Sequence, residues 1–211
     1  INAALRFDGN EPEKQEWLDA IFAVVDLHYG YVHSYESAIE TTAALMPEAF
    51  LNRVFEGTEE QQERRQFFIC NRGLRFSPLA YINMDFLISW CCARNEPRVW
   101  VAIAASINLW EKDGEIEGLR MSELALRLLE SSPDPAIVLE IFAESVTPSS
   151  WSGSRAKVMQ SRAEAIRKLV EHDRADISSA AQTVSENLVQ FIERQKEREQ
   201  REDMEQEQRF E

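Results

Sequence analysis

The adjacent pair His172-Asp173 is the combination of residues in this sequence best suited to bind a metal ion. An imidazole beside a carboxylate supplies two ligands to a divalent metal, which could then activate water for hydrolysis. A complete site needs further ligands from neighbouring helices, and the other histidines are His28 and His33. The pair also precedes a predicted helix, where polar capping residues are expected. We therefore favour a structural role, with metal-dependent hydrolysis as the alternative.

A second set of candidate ligands is His33 with Glu36 and Glu40, whose spacing places them on one side of a helix. A di-iron bundle would need a second Glu-x-x-His unit facing this one, and the sequence contains none. It also lacks the P-loop, nucleophile-elbow and zinc-protease motifs. The sequence therefore predicts no catalytic residue, no cofactor and no metal site.

The three cysteines form neither a disulfide framework nor paired zinc ligands. Cys91 and Cys92 follow Trp90 within a predicted helix, and we expect both to be reduced core residues. Reduced cysteines are typical of cytoplasmic proteins. No run reaches the roughly 18 apolar residues that a membrane span requires. The chain begins at Ile1 without a visible secretory leader, and we expect a segment of a larger protein.

Acidic side chains outnumber basic ones by 37 to 23, which gives a formal net charge of −14. A phosphate backbone is repelled by such a surface, so nucleic acid is disfavoured as a partner. Four arginines close together in the sequence could nevertheless form a basic patch: Arg64, Arg65, Arg72 and Arg75. We favour ordinary helix-surface charge for them.

Apolar residues recur at helical spacing along most of the chain, which predicts an all-α fold. Seven glycines and seven prolines are too few for the many turns of a β-sandwich or barrel. One helix start is predicted from Thr58-x-x-Gln61, which has the form of a capping box. Another is predicted from Ser77-Pro78, an N-cap residue followed by a first-turn proline.

Two loops and a tail interrupt or end the helical pattern. Loops are expected at residues 111–114 and 147–154, where turn-forming residues gather. The apolar stripe of the last helix stops at Ile192. Residues 193–211 are therefore predicted to form a polar helical tail with no buried face of its own.

A polar turn followed by an apolar helix occurs three times, as Arg94-Asn95-Glu96-Pro97-Arg98-Val99, Ser132-Pro133-Asp134-Pro135-Ala136-Ile137 and His172-Asp173-Arg174-Ala175-Asp176-Ile177. The aligned residues Val99, Ile137 and Ile177 are 38 and 40 residues apart. A hairpin of two amphipathic helices cannot cover both of its apolar stripes, so neighbouring hairpins are expected to stack.

A turn with Asp-Pro followed by a β-branched residue two positions on, as in Asp134-Pro135-Ala136-Ile137, resembles the HEAT/armadillo class of helical repeats. The resemblance implies a right-handed α-solenoid of stacked helical hairpins that binds a partner on its concave side. The C-terminal part of the sequence is also similar in style to helical-repeat segments of large bacterial multidomain proteins. The predicted divisions are an N-terminal helical region (1–76), HEAT-like repeats (77–192) and the charged tail (193–211).

Eight aromatic or basic residues are candidate contacts with a partner: Trp100, Trp110, Trp151, Arg162, Tyr31, Tyr35, Arg72 and Arg75. For Trp100 and Trp110 the alternative is packing within the fold. We predict a non-enzymatic scaffold for protein interaction or ligand sensing, whose partner is another protein or another domain of its parent. One alternative is an HD-like hydrolase using His172 and Asp173. The other is an oligomerisation module that pairs through the C-terminal helix.

Overall fold

The computed structural model describes residues 11–27, 36–69, 77–112 and 119–210. Helices account for most of these residues, which confirms the predicted helical class, and none of the helices described is long and apolar enough to cross a membrane. The elements are α1 (Glu11–Leu27), α2 (Glu36–Leu45), α3 (Pro47–Phe55), α4 (Glu59–Ile69), a 3-10 helix (Pro78–Tyr81), α5 (Met84–Arg94), α6 (Pro97–Ser106), β1 (Trp110–Lys112), β2 (Leu119–Met121), α7 (Glu123–Ser131), α8 (Pro135–Glu144), α9 (Arg155–Arg167), a second 3-10 helix (Lys168–Glu171) and α10 (Ala175–Phe210).

The chain packs as two compact units, residues 1–107 and 108–211. The first unit contains α1 to α6, and the second contains the two strands and α7 to α10. This division does not coincide with the boundaries predicted after residues 76 and 192. Residues 77–107 pack with the N-terminal helices, since the first 3-10 helix contacts α2.

Aromatic side chains form the centre of the first unit, where α1 packs against α2, α3 and α4. Phe22, Phe50 and Phe55 are at most 1% exposed. The ring centroids of Phe22 and Phe50 are 5.6 Å apart. Trp90 is also buried, with its ring 5.5 Å from that of Phe55. These contacts bring α1, α3 and α5 into one apolar core.

Side chains near the helix ends set several of the observed helix starts. Thr58 and Gln61 form the predicted capping box, with backbone N to side-chain O distances of 3.0 and 3.3 Å. Ser77 caps only the short 3-10 helix, accepting from the backbone N–H of Leu79 at 3.3 Å. The following α-helix starts afresh at Asn83, whose side chain accepts from the third residue of the helix. The continuous helix predicted from Ser77 is therefore wrong.

The neighbouring cysteines lie in different environments. Cys91 is fully buried, and burial raises the pKa of its thiol to about 12. Cys92 is exposed, because adjacent positions on an α-helix point about 100° apart. The expectation that both are core residues is wrong for Cys92.

A two-stranded antiparallel sheet opens the second unit, where the sequence predicted a helix end and a loop. Trp110 pairs with Met121, and Glu111 with Arg120. Helix α6 ends at Ser106, so Trp110 lies on β1 and not on that helix. The alternation of Leu119 and buried Met121 with exposed Arg120 is the two-residue period of a strand.

Two helical hairpins follow the sheet. Helix α7 packs on α8, α9 packs on α10, and α10 also contacts α8. The fully buried residues at their centre are mostly aliphatic: Leu128, Leu129, Val138, Leu139, Phe142, Ile166, Ile177 and Ala181. These packed hairpins are compatible with a helical repeat.

The three aligned repeat positions do not share one environment. Val99 and Ile177 are fully buried, whereas Ile137 is 37% exposed. In α8 the core is filled by Val138 and Leu139, which follow Ile137 and point to another side of the helix. The repeat alignment therefore does not predict a shared core position, although Asp134 caps this helix at the polar turn that the pattern predicts.

One arginine of the first unit is buried in a network of hydrogen bonds. Arg65 is 5% exposed and holds the Asp26 carboxylate through Nε and Nη2 at 2.8 and 2.5 Å. Its Nη1 donates to the carbonyl groups of Arg53 and Glu56 at 2.8 and 2.9 Å, at the C-terminal end of α3. The guanidinium lies 5.4 Å from the ring centroid of Phe22. The interpretation of Arg65 as surface charge is wrong.

Replacing Arg65 with Met should therefore destabilise the first unit strongly. The substitution preserves side-chain length but leaves a largely buried carboxylate and two carbonyl groups without their donor, a change that costs about 3–5 kcal/mol in comparable pairs. Urea denaturation followed by circular dichroism measures the loss.

The neighbouring Arg64 supplies the matched control. It bonds Glu60 and the Asp26 carbonyl from a side chain that is 43% exposed, so Arg64→Met should cost less than about 1 kcal/mol. Equal losses for the two variants would show that burial of the Arg65 network is not what stabilises the unit.

Candidate interaction surface

Trp100 is a core residue of the first unit. It lies on α6 and is 2% exposed. Its indole N–H has no hydrogen-bond partner among the described residues. Trp100 therefore packs within the fold, which was the alternative to a role in partner contact.

Trp110 and Arg162 are brought together in the second unit. The Arg162 guanidinium lies 5.8 Å from the Trp110 ring centroid, and its Nη1 donates to the carbonyl of Ser145 at 2.7 Å. Ser145 follows the last residue of α8. Arg162 therefore connects α9 to the end of α8 and to β1. Both predicted contact residues thus have a structural role within the unit.

Among the predicted contact residues that the structure describes, Trp151 is the most open, with 49% of its surface exposed. It lies in the predicted loop before α9, and the Arg155 guanidinium covers its ring at 4.7 Å. The loop turns at Gly153, which has a φ of +74°, a conformation that favours glycine. A polar cavity of about 420 Å³ lies beside this loop and the far half of α10.

Glu199 of the predicted polar tail binds the N-terminal end of α9. Its carboxylate accepts from the Ser154 hydroxyl at 2.7 Å and from the Ala156 backbone N–H at 2.9 Å. Gln195 donates to the same carboxylate at 3.1 Å. Burial acts to raise the pKa of Glu199, but these hydrogen bonds outweigh it and lower the pKa. The tail is therefore anchored at this point, although residues 193–205 include no buried side chain, in keeping with the predicted lack of a buried face.

The His172-Asp173 turn uses its imidazole in hydrogen bonds within the fold. Nδ1 accepts from the Arg174 backbone N–H at 3.1 Å, so Nε2 carries the proton in the neutral ring and donates to Glu130 at 3.3 Å. Asp173 is exposed. In the described part of the chain, no three His, Cys, Asp or Glu side chains are grouped to hold a metal.

The remaining candidates lie outside the described residues: Tyr31, Tyr35, Arg72, Arg75, His28 and His33.

A groove between α9 and α10 is the surface feature that sequence reasoning missed. It consists of two adjoining cavities of about 470 and 260 Å³ that share Glu164, Arg167, Ser185 and Val189. The other lining residues are Gln160, Ala163, Lys168, Val170, Glu171, Gln182, Glu186, Ile192, Glu193 and Lys196. We call this surface the α9/α10 groove.

The α9/α10 groove is lined by polar and apolar side chains and has a rim of exposed charged residues. Val189 is 64% exposed there. On the rim, Arg167 binds Glu164 through two hydrogen bonds of 3.0 and 2.6 Å, which lower the pKa of the glutamate. Lys196 pairs with Glu193 at 3.3 Å. Val189 falls off the core stripe of α10, but one exposed valine is common on protein surfaces and gave no signal of a groove in the sequence.

Comparison with models of known protein families, with curated proteins and with solved structures finds no match to this chain. Any function proposed for this chain therefore rests on its own residues and contacts.

The anchoring of the tail can be tested with Glu199→Gln. The folded pKa of Glu199 lies below its ordinary value of 4.5, so its stabilisation is fully present above that value and is lost as pH falls through the folded pKa. The variant should lose about 1 kcal/mol at pH 7, as for a lost helix cap, and its melting temperature should fall by roughly 2–4 °C. The difference from wild type should disappear in strong acid.

Glu202→Gln is the control, since Glu202 is exposed and pairs with Arg198. Its melting temperature should stay within about 1 °C of wild type across the pH series, as expected for a surface ion pair. A pH-independent difference between Glu199→Gln and wild type would show that the ionised carboxylate is not what anchors the tail.

Proposed function

We propose that this chain is a non-enzymatic interaction scaffold that binds an amphipathic α-helix in the α9/α10 groove. The observation that carries the proposal is the groove itself, which combines the exposed apolar side chain of Val189 with a rim of charged side chains. Helix-in-groove recognition uses such a surface, because the apolar stripe of the incoming helix covers the apolar residues of the groove and its flanks meet the charged rim.

The length of the groove supports a helical ligand. Along α10 the lining residues extend from Gln182 to Lys196, about 21 Å at 1.5 Å per residue. This corresponds to roughly four turns of a second helix. A ligand of that length would present apolar residues at i, i+3 or i+4, and i+7.

Charge supports a protein partner over nucleic acid. The formal net charge of −14 disfavours a phosphate backbone. The groove rim carries both signs, including the Glu164–Arg167 and Glu193–Lys196 pairs. Mixed charges favour a partner helix with acidic and basic residues on its flanks.

The architecture proposed for the scaffold is a right-handed, HEAT-like solenoid within a larger cytoplasmic protein of bacterial type. The packed hairpins α7/α8 and α9/α10 support it. The turns that begin with Glu96 and Asp134, each followed by a first-turn proline, support it as well. In this architecture the next helix of an array, or a partner that replaces it, covers the open side of the last hairpin.

Selection from a displayed library of amphipathic helical peptides of about four turns tests the proposed function. The wild-type chain should enrich peptides that lose most of their binding to Val189→Glu, because the substitution puts a carboxylate in place of the exposed apolar side chain that both cavities share. Fluorescence anisotropy of the enriched peptides should show at least a tenfold weaker Kd for this variant, about 1.4 kcal/mol.

Met204→Glu provides the control in the same helix, since Met204 is 55% exposed and lies outside the groove. It should bind the peptides as wild type does. Enrichment of no helical peptide, or equal binding by wild type and Val189→Glu, would contradict the proposal.

A further inference from the structure

We draw no further inference here: the strongest candidate, the polar cavity of about 420 Å³ beside Trp151 and the far half of α10, is lined by two arginines and three carboxylates together, and nothing in the structure shows which ligand would occupy it.

Discussion

The structure depends on hydrogen bonds to the carbonyl groups at the C-terminal ends of its short helices. An α-helix leaves its last four carbonyls without partners inside the helix, which is a large share of helices such as α3, α7 and α8. Arginines from other helices donate to several of them. Arg65 donates to Arg53 and Glu56 at the end of α3, and Arg162 to Ser145 at the end of α8. A cation near these carbonyls is also favoured by the helix dipole. The same side chains therefore satisfy polar groups and fix how one helix meets the next.

The tail makes the corresponding interaction with the opposite charge, at the N-terminal end of a helix. Glu199 accepts hydrogen bonds at the N-terminal end of α9, where unpaired N–H groups favour an anion. The contact joins residues 45 positions apart in the sequence, and the Arg65–Asp26 pair joins residues 39 apart. In the sequence, Arg65 and Glu199 have the appearance of ordinary surface charge. Their role depends on which helix end lies nearby, and no local pattern specifies that.

What could be predicted from the sequence was the local part of the fold. The capping box at Thr58 and the N-cap at Asp134 each use a side chain within three residues of its backbone partner, so their signals are complete in a short window. The errors arose where tertiary contacts decide. The strand at Trp110 is defined by its pairing with Met121 on the second strand of the sheet. Ile137 matched the repeat pattern, yet Val138 and Leu139 occupy the core in its place.

The α9/α10 groove could not be predicted for a related reason. A single exposed Val189 carries no information, because isolated apolar residues are common on protein surfaces. Its meaning comes from the neighbours that the fold assembles around it, namely the charged side chains of α9 and α10 that line the same groove. Core packing does not use the Val189 side chain, which is 64% exposed. A partner helix with an apolar stripe and charged flanks would cover Val189 and meet these charged side chains.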